Sequence, residues 1–174
     1  MDWTGLVFET IDMRSFSNLW FWIALAVFWS STSHWVLGVP FDMVGRARRQ
    51  GGQAAQDLED MVRIQINRRL YIVEQAGLWL VAFTAALLAM LASLGFWYGI
   101  ELAQALFLLG CPMSMVGLLS IATAERIRGQ GLTGEALWRK LTVHRFWVQV
   151  IGMISIFITA MWGMYQNLAH GVLG

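Results

Sequence analysis

Four stretches of this chain run for about twenty residues with no Asp, Glu, Lys or Arg, the length needed to cross the hydrocarbon of a bilayer. They are Leu19 to Val39, Gly77 to Tyr98, Leu102 to Ala124 and Phe146 to Tyr165. The pattern predicts four membrane-spanning helices and, because no strand alternation competes with them, an all-α fold: a four-helix bundle forming a single membrane domain over residues 1–174. The intervening polar segments, 40–76 and 125–145, are the loops on one side. Within the first of them, Leu58, Val62, Ile66, Leu70 and Val73 recur at spacings of four and three. This predicts an amphipathic helix over Gln53–Gln75. No Gly or Pro intervenes before Gly77, so that helix is expected to run on into span two.

Local signals refine the outline. Pro40 is expected to end span one, and Arg46–Gly52 to form a basic turn. Glu59 and Arg63 are spaced for an i,i+4 pair. Gly99, Ile100 and Glu101 leave so short a link that spans two and three must be antiparallel neighbours. Pro112 is expected to kink span three, and Thr133 to cap the helix entering span four. Trp3–Met13 reads as a short amphipathic helix on the outer surface, with Ser15 or Ser17 capping span one.

Charge then orients the chain. Of the twelve Lys and Arg, eleven lie in the two long polar segments and one, Arg14, elsewhere. Basic residues stay on the cytoplasmic side, which places both termini outside and predicts a multi-pass protein of a bacterial inner membrane. Ten Trp are present. Trp20, Trp22, Trp97, Tyr98, Trp162 and Tyr165 form an expected outer aromatic belt, and Trp35, Trp79, Trp138 and Trp147 an inner one. The first residues carry Asp2, Glu9 and Asp12 against Arg14, the wrong charge for a cleavable signal.

Composition narrows the chemistry. Charged residues are 13% of the chain and the net charge is +1, which argues against a nucleic-acid partner. The single cysteine, Cys111, excludes an internal disulfide, a CxxC redox pair and a thiolate metal cage. The spans hold no carboxylate of the kind ion-coupled carriers use. No catalytic motif and no metal-ligand spacing is present. The most polar intramembrane run is Ser30-Ser31-Thr32-Ser33-His34, whose hydroxyls can bond back to their own helix. His34 and His144, on different helices near the same membrane face, are the candidate pair for cofactor binding. They suit the axial ligation of a haem b, or a quinone site.

Small residues mark candidate packing seams: Gly110, Ser114, Gly117 and Ala124 in span three, Gly152, Ser155, Thr159 and Gly163 in span four, and Ala82, Ala85, Ala89 and Ala92 in span two. Arg46, Arg48, Arg49, Arg63, Arg68 and Arg69 form the candidate surface for anionic lipid or a protein partner. The functional expectation is a non-enzymatic accessory or scaffold subunit that docks a partner on its cytoplasmic face, or pairs with a second copy. The alternative is a redox membrane subunit binding haem b or quinone near His34 and His144.

The stretches IDMRSFSNLWFWIALA (Ile11 to Ala26) and SHWVLGVPFDMVGRARRQGG (Ser33 to Gly52) resemble small alphaproteobacterial multi-pass membrane proteins labelled "component of SufBCD complex". The resemblance covers most of the chain. It implies association with iron–sulfur cluster assembly as a membrane site for soluble assembly proteins. Direct cluster ligation normally needs several thiolates, which this chain lacks.

Overall fold

The computed structural model describes the backbone of residues 19–171 and the side chains of residues 19–168. The expected surface helix Trp3–Met13 and the caps at Ser15 or Ser17 lie outside the described residues. Five α-helices account for nearly all of the rest: α1 (Leu19–His34), α2 (Phe41–Gln50), α3 (Gly52–Ala92, closed by a π-helical turn at Ser93–Trp97), α4 (Glu101–Gln130) and α5 (Gly134–Gly171). A minimal antiparallel hairpin, β1 (Trp35–Val36) and β2 (Val39–Pro40), joins α1 to α2.

Three of these helices are long and apolar enough to cross a membrane: α3 with its π turn, α4 and α5. In the most apolar stretch of α3 no residue is buried. Leu78, Trp79 and Phe83 are exposed at 82%, 77% and 69%. A water-soluble surface rarely presents so large a contiguous apolar patch, whereas hydrocarbon accepts it on every side.

The N-terminal apolar segment departs from expectation. Its helix stops at His34 instead of Val39, and the chain reverses through a two-residue turn in which Leu37 (φ 54°) and Gly38 (φ 83°) are both left-handed. Such turns match the natural twist of a hairpin. A non-glycine residue in that region costs about 1–2 kcal/mol. Leu37 offsets this by being 1% exposed, since full burial of a leucine contributes about 1.5–3 kcal/mol. Hydropathy alone cannot report this reversal, because Trp35, Val36, Leu37 and Val39 are as apolar as the helix before them. Pro40 therefore does not end a helix but sits at the N-cap of α2, with φ −60°. The expected basic turn is itself helical as far as Gln50. Chain reversal follows at Gly51 and Gly52, both at positive φ.

The continuous helix through the polar segment into span two is present. At 41 residues, α3 extends about 62 Å. Its stripe Leu58, Val62, Ile66 and Leu70 is buried and forms the centre of the larger core. Val36, Leu37 and Val39 of the hairpin join this core, with Val44 and Ala47 of α2, Ala124 and Ile127 of α4, and Leu137 and Leu141 of α5. A smaller core holds Leu25 and Trp29 of α1, Val116 of α4 and Val148 of α5. The best-packed region thus lies at the charged end of the long helices.

Candidate functional site at the helix ends

At the charged end, the α4–α5 turn is built by two devices. Gly131 adopts the left-handed conformation after α4, and the Leu132 N–H reaches back to the Ile127 carbonyl at 3.2 Å, the bond pattern that closes helix C-termini. The first exposed N–H of α5, on Gly134, donates to Glu59 Oε1 of α3 at 2.7 Å. A carboxylate at a helix N-terminus also meets the positive end of its dipole. The expected roles change accordingly. Thr133 contributes its backbone carbonyl to Leu137 N–H at 3.4 Å, while Glu59 provides the side-chain acceptor. Arg63 pairs with Asp60 at 2.8 Å and not with Glu59.

Between this turn and α3 lies a cavity of about 420 Å³. Val62, Ile66, Ile127, Leu132 and Leu137 give it an apolar floor, and Glu59, Asp60, Arg63, Asn67 and Arg128 a rim of both signs. Arg128 also reaches Glu74 at 2.9 Å, tying α4 to α3 beside it. Of the six arginines singled out in the sequence, only Arg63 lines this cavity. Arg46 faces Asp42 at 3.9 Å, Arg48 donates to Thr142 Oγ1 of α5 at 3.1 Å, and Arg49 and Arg68 are exposed. Arg69 is half-buried.

The two histidines occupy unlike settings. His34 is exposed at the end of α1, its ring edge-on to Trp35. His144 is 3% exposed, held in the α4–α5 seam. Thr123 gives its proton to the Leu119 carbonyl at 2.8 Å, so at 3.1 Å its oxygen accepts from Nδ1–H of His144. Ser120 lies 3.4 Å from Nε2. Both ring nitrogens thus face hydroxyls. No histidine lines the cavity beside the α4–α5 turn or four others among the described residues, and no group of three His, Cys, Asp or Glu converges there as a metal-ligand set.

The small-residue stripe of α5 is a seam: Gly152, Ser155, Thr159 and Gly163 are all buried. Ser155 performs a specific task in it. Pro112 cannot donate to the carbonyl four residues earlier, which is Leu108, and Ser155 Oγ donates to that carbonyl from α5 at 3.4 Å. In α4, Gly110 and Ser114 are half-buried, with Gly110 against Leu88 of α3. Gly117 is exposed with nothing near it, and Ala82, Ala85 and Ala89 of α3 also face outward. Thr84, Leu88 and Leu91 of α3 are half-buried instead, Leu88 against Gly110.

The polar residue that sequence reasoning missed is Gln104, 3% exposed near the start of α4. Its Nε2 donates to the Gly95 carbonyl at 2.8 Å, and its Oε1 accepts from Trp162 Nε1 at 2.9 Å and Gln166 Nε2 at 2.7 Å. Gly95 lies in the π turn, and a Cβ there would fall 2.9 Å from the Gln104 backbone nitrogen. One amide therefore ties three helices together at the end opposite the charged cavity.

No family model matches the chain, and neither does any curated protein or solved structure.

Proposed function

We propose that this chain is a multi-pass inner-membrane protein of four crossings with both termini outside. In this reading it is a non-enzymatic accessory or scaffold subunit whose cytoplasmic head docks a protein partner. The observation that carries this reading is the cavity between α3 and the α4–α5 turn. An apolar floor with a rim of engaged charges suits the anchoring side chain of a partner better than a reaction, because Asp60 pairs with Arg63, Glu59 accepts the Gly134 N–H and Arg128 pairs with Glu74. Support for the orientation comes from the eleven of twelve basic residues gathered in the two polar segments. Support for the fourth crossing comes from α1, whose 16 residues include no Asp, Glu, Lys or Arg. The resemblance noted above names the first partner class to try, soluble iron–sulfur assembly proteins.

A photoreactive side chain placed at Asn67, on the cavity rim, tests the proposal in native membranes. A discrete protein adduct from Asn67, absent when the probe sits at lipid-facing Leu78, is the expected result. Equal labelling from both positions, or none at Asn67, contradicts it.

A further inference from the structure

A second groove, of about 470 Å³, runs between α1 and α5. Gly152 makes it possible. A Cβ there would fall 2.8 Å from Trp29 Cε3, so only glycine lets α5 lie directly on that indole. Ala26, Met153 and Ile156 give the groove apolar walls, and Ser30, Ser33 and Gln149 give it polar ones.

The polar groups around it include several donors and neutral acceptors, but no anionic one. Trp29 is 5% exposed, and its Nε1 has no hydrogen-bond partner among the described residues. Ser33 already spends its proton on the Ser30 carbonyl at 3.0 Å. The Gln149 amide is exposed on the opposite wall. One turn earlier on the same face of α5 stands Arg145, its guanidinium 4.0 Å over the Phe41 ring. Arg145 Nε is buried without an acceptor, and Arg145 enters none of the ion pairs among the described residues. No acidic residue lines the groove. Arg145 stands just beyond the residues that line the groove, so a ligand that fills the groove and reaches one turn further suits it with an anionic group for Arg145, a neutral carbonyl for Gln149 and Ser30, and an apolar tail for the walls.

We propose that this groove binds one anionic phospholipid. Its phosphate lies at Arg145, a glycerol ester carbonyl at Gln149 and Ser30, and an acyl chain along Ala26, Gly152 and Ile156. The inference rests on the membrane placement proposed above, which sets Arg145 at the cytoplasmic leaflet, where basic pockets between helices collect anionic headgroups. It does not rest on any protein partner.

Native mass spectrometry of the purified full-length chain tests it, with equimolar phosphatidylglycerol and phosphatidylcholine of identical acyl chains. The expected result is a single retained phosphatidylglycerol in clear excess over phosphatidylcholine. Arg145→Gln reduces that preference about fivefold, the loss of one basic contact near the lipid surface. Arg126→Gln, an exposed arginine elsewhere, leaves it unchanged. Gln149→Leu weakens retention of both lipids by a common factor and keeps their ratio. Equal retention of the two lipids by the unaltered protein overturns the proposal, and that comparison needs no variant to fold. Equal effects of R145Q and R126Q also overturn it, as does a copurifying isoprenoid quinone in place of phospholipid. Because no partner protein is present, failure of the docking proposal leaves this result intact.

Discussion

Replacing Gln104 with leucine removes the amide at the junction of three helices while keeping a side chain of similar size. Three hydrogen bonds are lost, to the Gly95 carbonyl and from Trp162 and Gln166. Interhelical hydrogen bonds in membrane proteins average about 0.6 kcal/mol each, so the bonds alone contribute about 2 kcal/mol. The Trp162 N–H and the Gly95 carbonyl are then left facing an apolar side chain, and an unsatisfied buried group adds about 1–3 kcal/mol. Local rearrangement recovers part of this, which sets the expected loss at about 3 kcal/mol. That is a large share of the ~5–15 kcal/mol that holds a typical folded chain. Reversible unfolding by sodium dodecyl sulfate in mixed micelles, followed by far-ultraviolet circular dichroism and tryptophan fluorescence, measures it. The double variant with Trp162→Phe isolates the single bond, with an expected coupling of about 0.6–1.7 kcal/mol. A loss below about 0.5 kcal/mol for Q104L, together with no coupling to W162F, refutes the assignment of Gln104 as the tie between α3, α4 and α5.

Other perturbations follow from the same geometry. Glu59→Ala removes the side-chain acceptor at the start of α5 and lowers stability by about 1 kcal/mol, visible as a lower midpoint in thermal melts, whereas Glu59→Gln keeps the acceptor oxygen and most of the stability. Gly152→Ala drives a methyl group against the Trp29 ring and costs about 1–3 kcal/mol as an overpacked contact, with a change in tryptophan emission on folding that Gly117→Ala does not produce. Gly38→Ala places a side chain at φ +83°, beside Gln65, and costs about 1–2 kcal/mol; a melt indistinguishable from the unaltered protein argues against the hairpin.

What the residues disclosed in advance follows from period and from charge. The stripe Leu58, Val62, Ile66 and Leu70 repeats once per helical turn, so its burial was legible before any partner was known. The stripe Gly152, Ser155, Thr159 and Gly163 was legible for the same reason. Phase was not: Ala82, Ala85 and Ala89 form as regular a stripe as Gly152 to Gly163 yet face outward, because composition does not say which face of an all-apolar helix meets its neighbours. The hairpin at Trp35–Pro40 was hidden by its own hydrophobicity. Gln104 was hidden by distance, since its partners Trp162 and Gln166 lie 58 and 62 residues away and only packing brings them to it. Glu59 looked like half of a local ion pair because the nearest basic residue in sequence is Arg63, while the helix end it serves lies 75 residues on. His144 was singled out as a candidate cofactor ligand at the membrane face; its burial, and the hydroxyls of Ser120 and Thr123 that it meets, were not legible, because those partners lie 24 and 21 residues away on another helix.

Both the docking head and the lipid groove require the charged helix ends to lie on the cytoplasmic side of the membrane. Single cysteines introduced at Gly99 and Arg126, in a Cys111→Ala background, decide it when intact cells are treated with a membrane-impermeant maleimide. Gly99→Cys is expected to be labelled in intact cells, and Arg126→Cys only after the membrane is opened. Labelling of Arg126→Cys from outside, with Gly99→Cys protected, contradicts that placement.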